Sequence, residues 1–351
     1  SAGPMRKERP TMVRVGLVGL GFMGQQHYQI YRGMEGAELV AVCDVIPERV
    51  GETAPSVGGN IGEAEEIDLS DQARYVCFSE MLDSEELDLV DICVPTHLHA
   101  QMTVQALEAG NDVVCEKPMA RTVSQCDEMI AAAEKTGNML FIAQCIRFWP
   151  EYEVLARMVE SGELGEIKAA RFARKSPTPG WASEGWLMDT QLSGGALLDL
   201  HVHDVDFILS IFGKPNAVFA RGSNIVSEGA PVDHVDTQYL YDDFVCTAQG
   251  GWVMPDTFPF DMAFEVLGTE GMLQFSVNND PMLRWYPFDG EPETPAYEAG
   301  TGYENELAYF VECVENGTPP ERVTPKSARE SVRVVMAEAD SIASHESVVI
   351  G

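Results

Sequence analysis

The sequence predicts an α/β protein of two domains: a parallel sheet wrapped by helices, then a C-terminal α/β domain with a large, mostly antiparallel open sheet. Three observations predict it. At 351 residues the chain is long enough for about two domains of roughly 150 residues each. Its first third alternates Val- and Ile-rich runs with helical patterns, as a parallel sheet buried on both faces requires. Its later part strings strand-like runs together without helices between them, which points to antiparallel pairing.

Taken in order, "VRVGLVGL" (13–20) reads as the first strand, "GQQHYQIYRGM" as a helix and "ELVAVCDV" (38–45) as the second strand. The acidic "GEAEEIDLSD" (62–71) reads as a solvated loop. Next come "LDLVDICVP" (87–95), the helical "HAQMTVQALEAG", and "NDVVCEK" (111–117). "SQCDEMIAAAEKTG" ends on a glycine suited to a helix C-cap, and "NMLFIAQCIRF" reads as one more buried strand. Residues 1–11 are expected to be a disordered tail, 12–142 the first domain and 143–351 the second. The second domain opens with a helical "YEVLARMVESG" (152–162), continues through strands such as "EIKAARFARKS", "NAVFARGSNI" and "DMAFEVLGTEGMLQFSV", and closes with two helical patterns, "ENELAYFVECVENG" and "KSARESVRVVMAEADSIAS".

Charge excludes some classes of partner. With 23 basic against 56 acidic residues the net charge is −33, a field that repels nucleic acid and anionic membranes. No apolar run approaches the roughly 20 residues that span a bilayer, and the N-terminal stretch lacks the apolar segment of a secretory signal. The eight cysteines form no CxxC pair, and Cys43, Cys93 and Cys115 lie in strand-like runs. Buried thiols in a reducing cytoplasm are therefore expected.

"VGLVGLGFMG" places Gly19, Gly21 and Gly24 in GxGxxG spacing directly between a predicted strand and a predicted helix. That context marks a Rossmann dinucleotide-binding turn, because such a turn needs a tight bend, a bare backbone for pyrophosphate and close helix–strand packing. Phe22 and Met23 lie within the turn. Asp44 ends the second strand about 20 residues after Gly24, the position of an acid that binds the adenosine ribose. A carboxylate there repels a 2′-phosphate, so NAD is favoured over NADP, with Arg49 close enough in sequence to soften that preference.

In "NDVVCEKPMA", Glu116 and Lys117 follow an apolar strand that Pro118 halts, at the strand end where open α/β sheets place ligands. By position alone, Lys117 is a surface cation, a phosphate contact or a partly desolvated catalytic group.

These segments, with "LSGGALLDLHVHDVDFILSIFG" and "VLGTEGMLQF", resemble the glucose–fructose oxidoreductase / inositol dehydrogenase family, Gfo/Idh/MocA, over residues 12 to 350. The resemblance implies a Rossmann domain, an open-sheet domain that mediates dimers or tetramers, and NAD(P)-dependent chemistry at a hydroxyl-bearing carbon of a sugar, inositol or related polyol. It implies that Lys117 is the family lysine, that Pro95, Thr96 and His99 sit beside the nicotinamide half, and that Glu116 and Gln144 line the cofactor pocket. His97, next to Thr96, departs from the family pattern, as does Phe148-Trp149 after Arg147.

The run "ALLDLHVHDVD" (196–206) raises three possibilities: a metal site, an acid/base centre, or a helix with a wet side. Glycines before it and "FGKP" after it predict one helix over 194–213, about five turns long. On such a helix Asp199, His203, Asp206 and Ser210 form one stripe, while His201 and Asp204 face elsewhere. Imidazoles two residues apart then diverge by about 200°, which disfavours joint metal chelation and a hydrolase reading. Asp199 and His203 match the family's Asp-x-x-x-His and are expected to be an oriented acid/base pair. No metal is expected.

The expected protein is a cytoplasmic NAD-dependent dehydrogenase acting on CH–OH groups, homodimeric or homotetrameric, with its substrate between the domains. His203 accepts the hydroxyl proton, Asp199 orients it, and Lys117 binds the reacting oxygen. Arg147 and Trp181 are the expected substrate contacts, with Trp186 a further candidate. Two alternatives stay open: a dinucleotide-binding sensor without turnover, and an enzyme that uses transient NAD oxidation within a lyase or glycosidase cycle.

Overall fold

A computed structural model describes residues 10–59, 66–180, 183–226 and 232–351. Most of the expected tail, and part of the acidic segment 62–71, fall outside the described residues. The chain divides into two compact units: Ser1–Gln144 with Trp181–Trp186 and Tyr303–Arg329, and Cys145–Gly180 with Leu187–Gly302 and Glu330–Gly351.

The first unit is built on β1 (Val13–Val18), α1 (Phe22–Gly33), β2 (Ala37–Cys43), the short pair β3 (Thr53–Ala54) and β4 (Ile67–Asp68), and β5 (Ala73–Tyr75). It continues through α2 (Phe78–Ser84), β6 (Leu89–Ile92), α3 (His99–Glu108), β7 (Asp112–Glu116), α4 (Val123–Thr136) and β8 (Leu140–Ala143). Its sheet runs in the order β5-β2-β1-β6-β7-β8, every pairing parallel. Chain order reverses between β1 and β6, and the strand ends on either side of that reversal are where an open sheet of this kind receives a ligand. The central strands are largely apolar because both faces are covered: every residue of β6 and β8 is buried, Asp91 of β6 included. Thr122 caps α4, accepting from the Gln125 N–H at 3.3 Å, and Gly137 stops it in the left-handed conformation.

The second unit opens with α5 (Pro150–Ser161) and β9 (Ile167–Pro177), then α6 (Thr190–Ser193), α7 (Gly195–Asp199) and α8 (Val202–Phe212). Its remaining strands are β10 (Ala217–Ser223), β11 (His234–Leu240), β12 (Val245–Met254), β13 (Asp261–Gly268), β14 (Gly271–Ser276), β15 (Leu283–Pro287) and, after α9 (Gly302–Asn316) and α10 (Pro325–Ser344), β16 (Val348–Val349). The eight strands run β15-β14-β13-β9-β12-β11-β10-β16, antiparallel apart from β9 with β12. Alternation along the strands gives one buried face, carrying Phe172, Tyr239, Phe264 and Phe275, and one open face. Tyr152 of α5 meets Phe207, Phe264 and Phe275 edge to face at 4.8–5.4 Å, locking α5 and α8 onto that sheet.

One expected element differs. The helix predicted over 194–213 is broken: α7 stops at Asp199, and α8 begins at Val202 with His201 as its cap. The His201 N–H reaches back five residues to the Ala196 carbonyl at 2.9 Å, one residue beyond helical spacing. The break lets the His201 ring turn fully into the core, where Nε2 lies 3.3 Å from both Glu338 Oε2 and Tyr239 Oη. A Cβ on Gly250 would stand 2.6 Å from His201 Nδ1, so the sheet admits this ring only over a glycine.

Of the stripe expected on that helix, His203 and Asp206 are buried, while Asp199 is half-buried and Ser210 exposed. Residues 202–208 of α8 are all buried, and each acid has its own cation. Asp204 receives Arg174 Nε and Nη2 at 3.0 Å each; Asp206 receives Arg147 Nε and Nη2 at 2.7 Å each, and the Ser331 hydroxyl at 2.7 Å. Removing one member of a buried ion pair strands the other charge, whereas replacing both by apolar groups need not destabilise. Asp204→Ala is therefore expected to lower the unfolding free energy by about 3–5 kcal/mol in a urea titration, with much of the loss regained in Arg174→Met/Asp204→Leu.

Candidate active site

The turn after β1 is shaped by its glycines. Gly19 adopts φ +89°, and a Cβ there would lie 2.4 Å from the Cys93 carbonyl oxygen; a Cβ on Gly24 would lie 1.7 Å from the Gly19 oxygen. In front of Gly21 the same test meets nothing within 4 Å. The loop is thus closed against the protein on two sides and open on the third, which is the cradle a pyrophosphate needs at the start of α1. Phe22 and Met23, half-buried, open that helix.

Asp44 is buried at the end of β2. Its Oδ2 accepts from the Leu20 N–H at 2.8 Å and its Oδ1 from the Ile46 N–H at 2.9 Å, while Arg49 Nη1 lies 3.5 Å from Oδ2. The acid expected to choose the cofactor therefore also ties the glycine turn to its neighbouring strand end. Gln144, just past β8, is buried with its Nε2 unpartnered among the described residues. These residues fit a dinucleotide.

At the end of β7, Glu116 Oε2 accepts from the backbone N–H of Lys117 at 3.0 Å. Glu116 Oε1 lies 3.3 Å from His27 Nε2, and His27 Nδ1 lies 2.8 Å from Asp91 Oδ2, which also accepts from the Tyr31 hydroxyl at 2.9 Å. The half-buried Lys117 side chain thus leaves a backbone fixed from within. Pro95 and the buried Thr96 begin the turn after β6.

His99, expected beside the nicotinamide half, stands where the turns after β6 and β7 meet. It is buried, with Nδ1 2.8 Å from the Pro118 carbonyl oxygen and Nε2 2.9 Å from the Val94 carbonyl oxygen. Whichever nitrogen carries the proton donates to one of these carbonyls, so His99 ties one strand-end turn to the other. Burial pushes its basicity down although the two carbonyls favour its charge.

On the second unit, Asp199 ends α7 and His203 lies in the first turn of α8, 9% exposed. The two are on successive helices, not on one helical face. Arg147, expected at the substrate, has its guanidinium gripped by Asp206. Trp181 lies outside the described residues, and Trp186 is half-buried.

Sequence reasoning passed over the group behind Glu116. His27, Asp91 and Glu306 are all buried, and one carboxylate oxygen of Glu306 lies within 4.8 Å of His27 Nε2 and of a Glu116 oxygen. Two ionised carboxylates that close repel by at least about 3 kcal/mol at an effective dielectric constant of about 20. Burial, reinforced by Glu116, accordingly pushes the Glu306 carboxyl well above the usual range. For His27, burial opposes the charge, and the facing Cys93 sulfur and Asp91 carboxylate outweigh it, holding the imidazole well above its ordinary value. Asp91 left one sequence signal, an acid inside a run otherwise fit for a buried strand.

Two family descriptions match the chain. "Oxidoreductase family, NAD-binding Rossmann fold" covers residues 13–144, and "GFO/IDH/MocA C-terminal domain" covers 152–274. The chain belongs to the Gfo/Idh/MocA oxidoreductase family. Among relatives of this family member, myo-inositol 2-dehydrogenase of Thermotoga maritima is 27% identical over 88% of this chain and 90% of its own. The scyllo-inositol 2-dehydrogenase (NAD(+)) of Bacillus subtilis is 28% identical over 94% of each. The solved structure of levoglucosan dehydrogenase with NADH and levoglucosan superposes with a TM-score of 0.81 at 22% identity, covering 96% of this chain and 99% of that one.

Two outcomes follow. Hydrogen bonds to a charged group are worth about 1.5–3 kcal/mol, so Asp44→Ala is expected to weaken NADH binding by about ten- to hundredfold, read by nucleotide fluorescence, with a smaller loss for NADPH. The fold also holds protons on His27 and Glu306 that the unfolded chain releases at lower pH. Stability is then expected to fall as pH rises from about 6 to about 9, and His27→Gln to flatten that slope in urea titrations at the two pH values.

Proposed function

We propose that this protein is an NAD-dependent dehydrogenase that oxidises a CH–OH group of a sugar, inositol or related polyol, and reduces the corresponding carbonyl in reverse. The observation that carries this reading is the end of β7, where Glu116 fixes the backbone that presents Lys117, on the same unit as the cradle of Gly19, Gly21 and Gly24. Bound NAD supplies the hydride acceptor.

The chain's own residues divide the remaining work. Gly19, Gly21, Phe22, Met23 and Gly24 hold the pyrophosphate, Asp44 the adenosine ribose, and Pro95, Thr96, Glu116 and Gln144 the nicotinamide half. His203 accepts the proton of the substrate hydroxyl, the step an imidazole performs near neutral pH. Asp199 keeps His203 in the orientation for that transfer and offsets the charge it gains. Lys117 donates a hydrogen bond to the reacting oxygen, stabilising negative charge as it develops. We assign Trp181 to the apolar face of a sugar ring. Arg147 contributes what its Asp206 pairing leaves exposed.

The setting we propose is the cytoplasm: no described helix is long and apolar enough to cross a membrane, and no disulfide joins the eight cysteines. We further propose a homodimer or homotetramer formed through the open face of the eight-stranded sheet. That face mixes half-exposed Ala169, Ala263, Leu267 and Met272 with the cross-strand pair Arg171 and Glu265. Light scattering on purified protein checks the assembly.

The activity is tested by offering inositols, sugars and sugar acids with NAD and with NADP, following absorbance of the reduced nicotinamide. With the substrate so found, Lys117→Ala and His203→Ala are each expected to lower kcat/KM by about 10²- to 10⁴-fold while NADH still binds. Full turnover in both variants would overturn the assignment.

A further inference from the structure

The cluster behind Glu116 has a member that the proposed chemistry does not use. Glu306, in the first turns of α9, is fully buried, and neither of its carboxyl oxygens has a hydrogen-bond partner among the described residues. It faces His27 and Tyr31 from α1, Asp91 from β6, Cys93 just beyond β6 and Glu116 from β7. Of these, Asp91 already accepts from Tyr31 and lies against His27 Nδ1, and Glu116 accepts from the Lys117 N–H. Three carboxyls therefore share one imidazole in a space closed to water. If all three were ionised, the cluster would hold an excess negative charge with nothing to balance it. A proton on Glu306 halves that excess and converts an acceptor without a donor into a donor beside an acceptor, since Glu116 still has lone pairs to offer. The other candidate partners carry less: the Cys93 thiol is pushed up by burial and stays neutral, and the Tyr31 hydroxyl is committed to Asp91.

We propose that Glu306 is a positioning residue for Lys117, acting through Glu116 and His27 and carrying a proton in that role. It touches no substrate. It sets the place of the Glu116 carboxylate, whose other oxygen holds the backbone of the lysine. Losing the proton at high pH pushes Glu116 away, and the lysine backbone loses its fixed acceptor. The proposal rests on the reading that Lys117 binds the reacting oxygen.

The test compares wild type, Glu306→Gln and Glu306→Leu as full-length protein, in two independent measurements. Infrared difference spectra at neutral pH report a protonated carboxyl directly; a carbonyl band is expected in wild type and its loss in Glu306→Gln. Steady-state turnover, on myo-inositol or on the fastest substrate of the screen, reports positioning. Glu306→Leu is expected to lose about ten- to hundredfold in kcat with KM for NAD changed less than about threefold. Glu306→Gln, a neutral hydrogen-bonding isostere, is expected to restore most of that loss and to move the alkaline fall of kcat to higher pH. Absence of the infrared band, wild-type kcat in Glu306→Leu, an unmoved alkaline limb in Glu306→Gln, or a stoichiometric metal ion in the purified protein would each overturn the proposal. Undiminished turnover in Lys117→Ala would instead sink the reading beneath it, and the infrared result would still report where the proton lies.

Discussion

The carboxylate of Glu116 stands where β7 leaves the sheet, one oxygen accepting from the Lys117 N–H at 3.0 Å and the other 3.3 Å from His27 Nε2. Much of the first unit is arranged around holding that group still. His27 can serve it only because α1 begins so close to β1, and α1 can begin there only because Gly24 packs on the Gly19 carbonyl. Asp91 in turn balances His27 from the middle of β6. The glycine turn, usually discussed as a seat for phosphate, thus also determines where an imidazole sits beneath a lysine-bearing loop.

The second unit meets the same constraint differently. The first two turns of its helix α8 are buried all round and cannot turn their acids to water, so each acid is matched to a cation from a different element: Asp204 to Arg174 of β9, Asp206 to Arg147 from the turn before α5. The two forks fix α8 in rotation and along its axis, which one apolar stripe would leave softer. His203 inherits its place from those pairs.

The architecture was legible because it is written in period and punctuation. Runs such as "VRVGLVGL" and "NDVVCEK" can be little other than buried parallel strands, and Gly19, Gly21 and Gly24 with Asp44 carry the dinucleotide site in local spacing. What was not legible depends on partners far apart in the chain. The break at Leu200–His201 follows from a bond reaching one residue past helical spacing and from Glu338, Tyr239 and Gly250, none of them near in sequence. Nothing in the sequence around His99 shows that its two ring nitrogens lie against the Val94 and Pro118 carbonyls. Glu306 gives no sequence signal, since an acid in the opening turns of a helix is ordinarily a solvated one.

The bridge made by His99 has a consequence for how this enzyme can diversify. Because one ring grips the turn after β6 and the turn after β7 together, the two cannot drift apart as separate loops; they form a single jaw. A substitution that reshapes one of these turns therefore acts on the other as well. A lineage that retunes either turn passes the jaw on intact or changes His99 together with both.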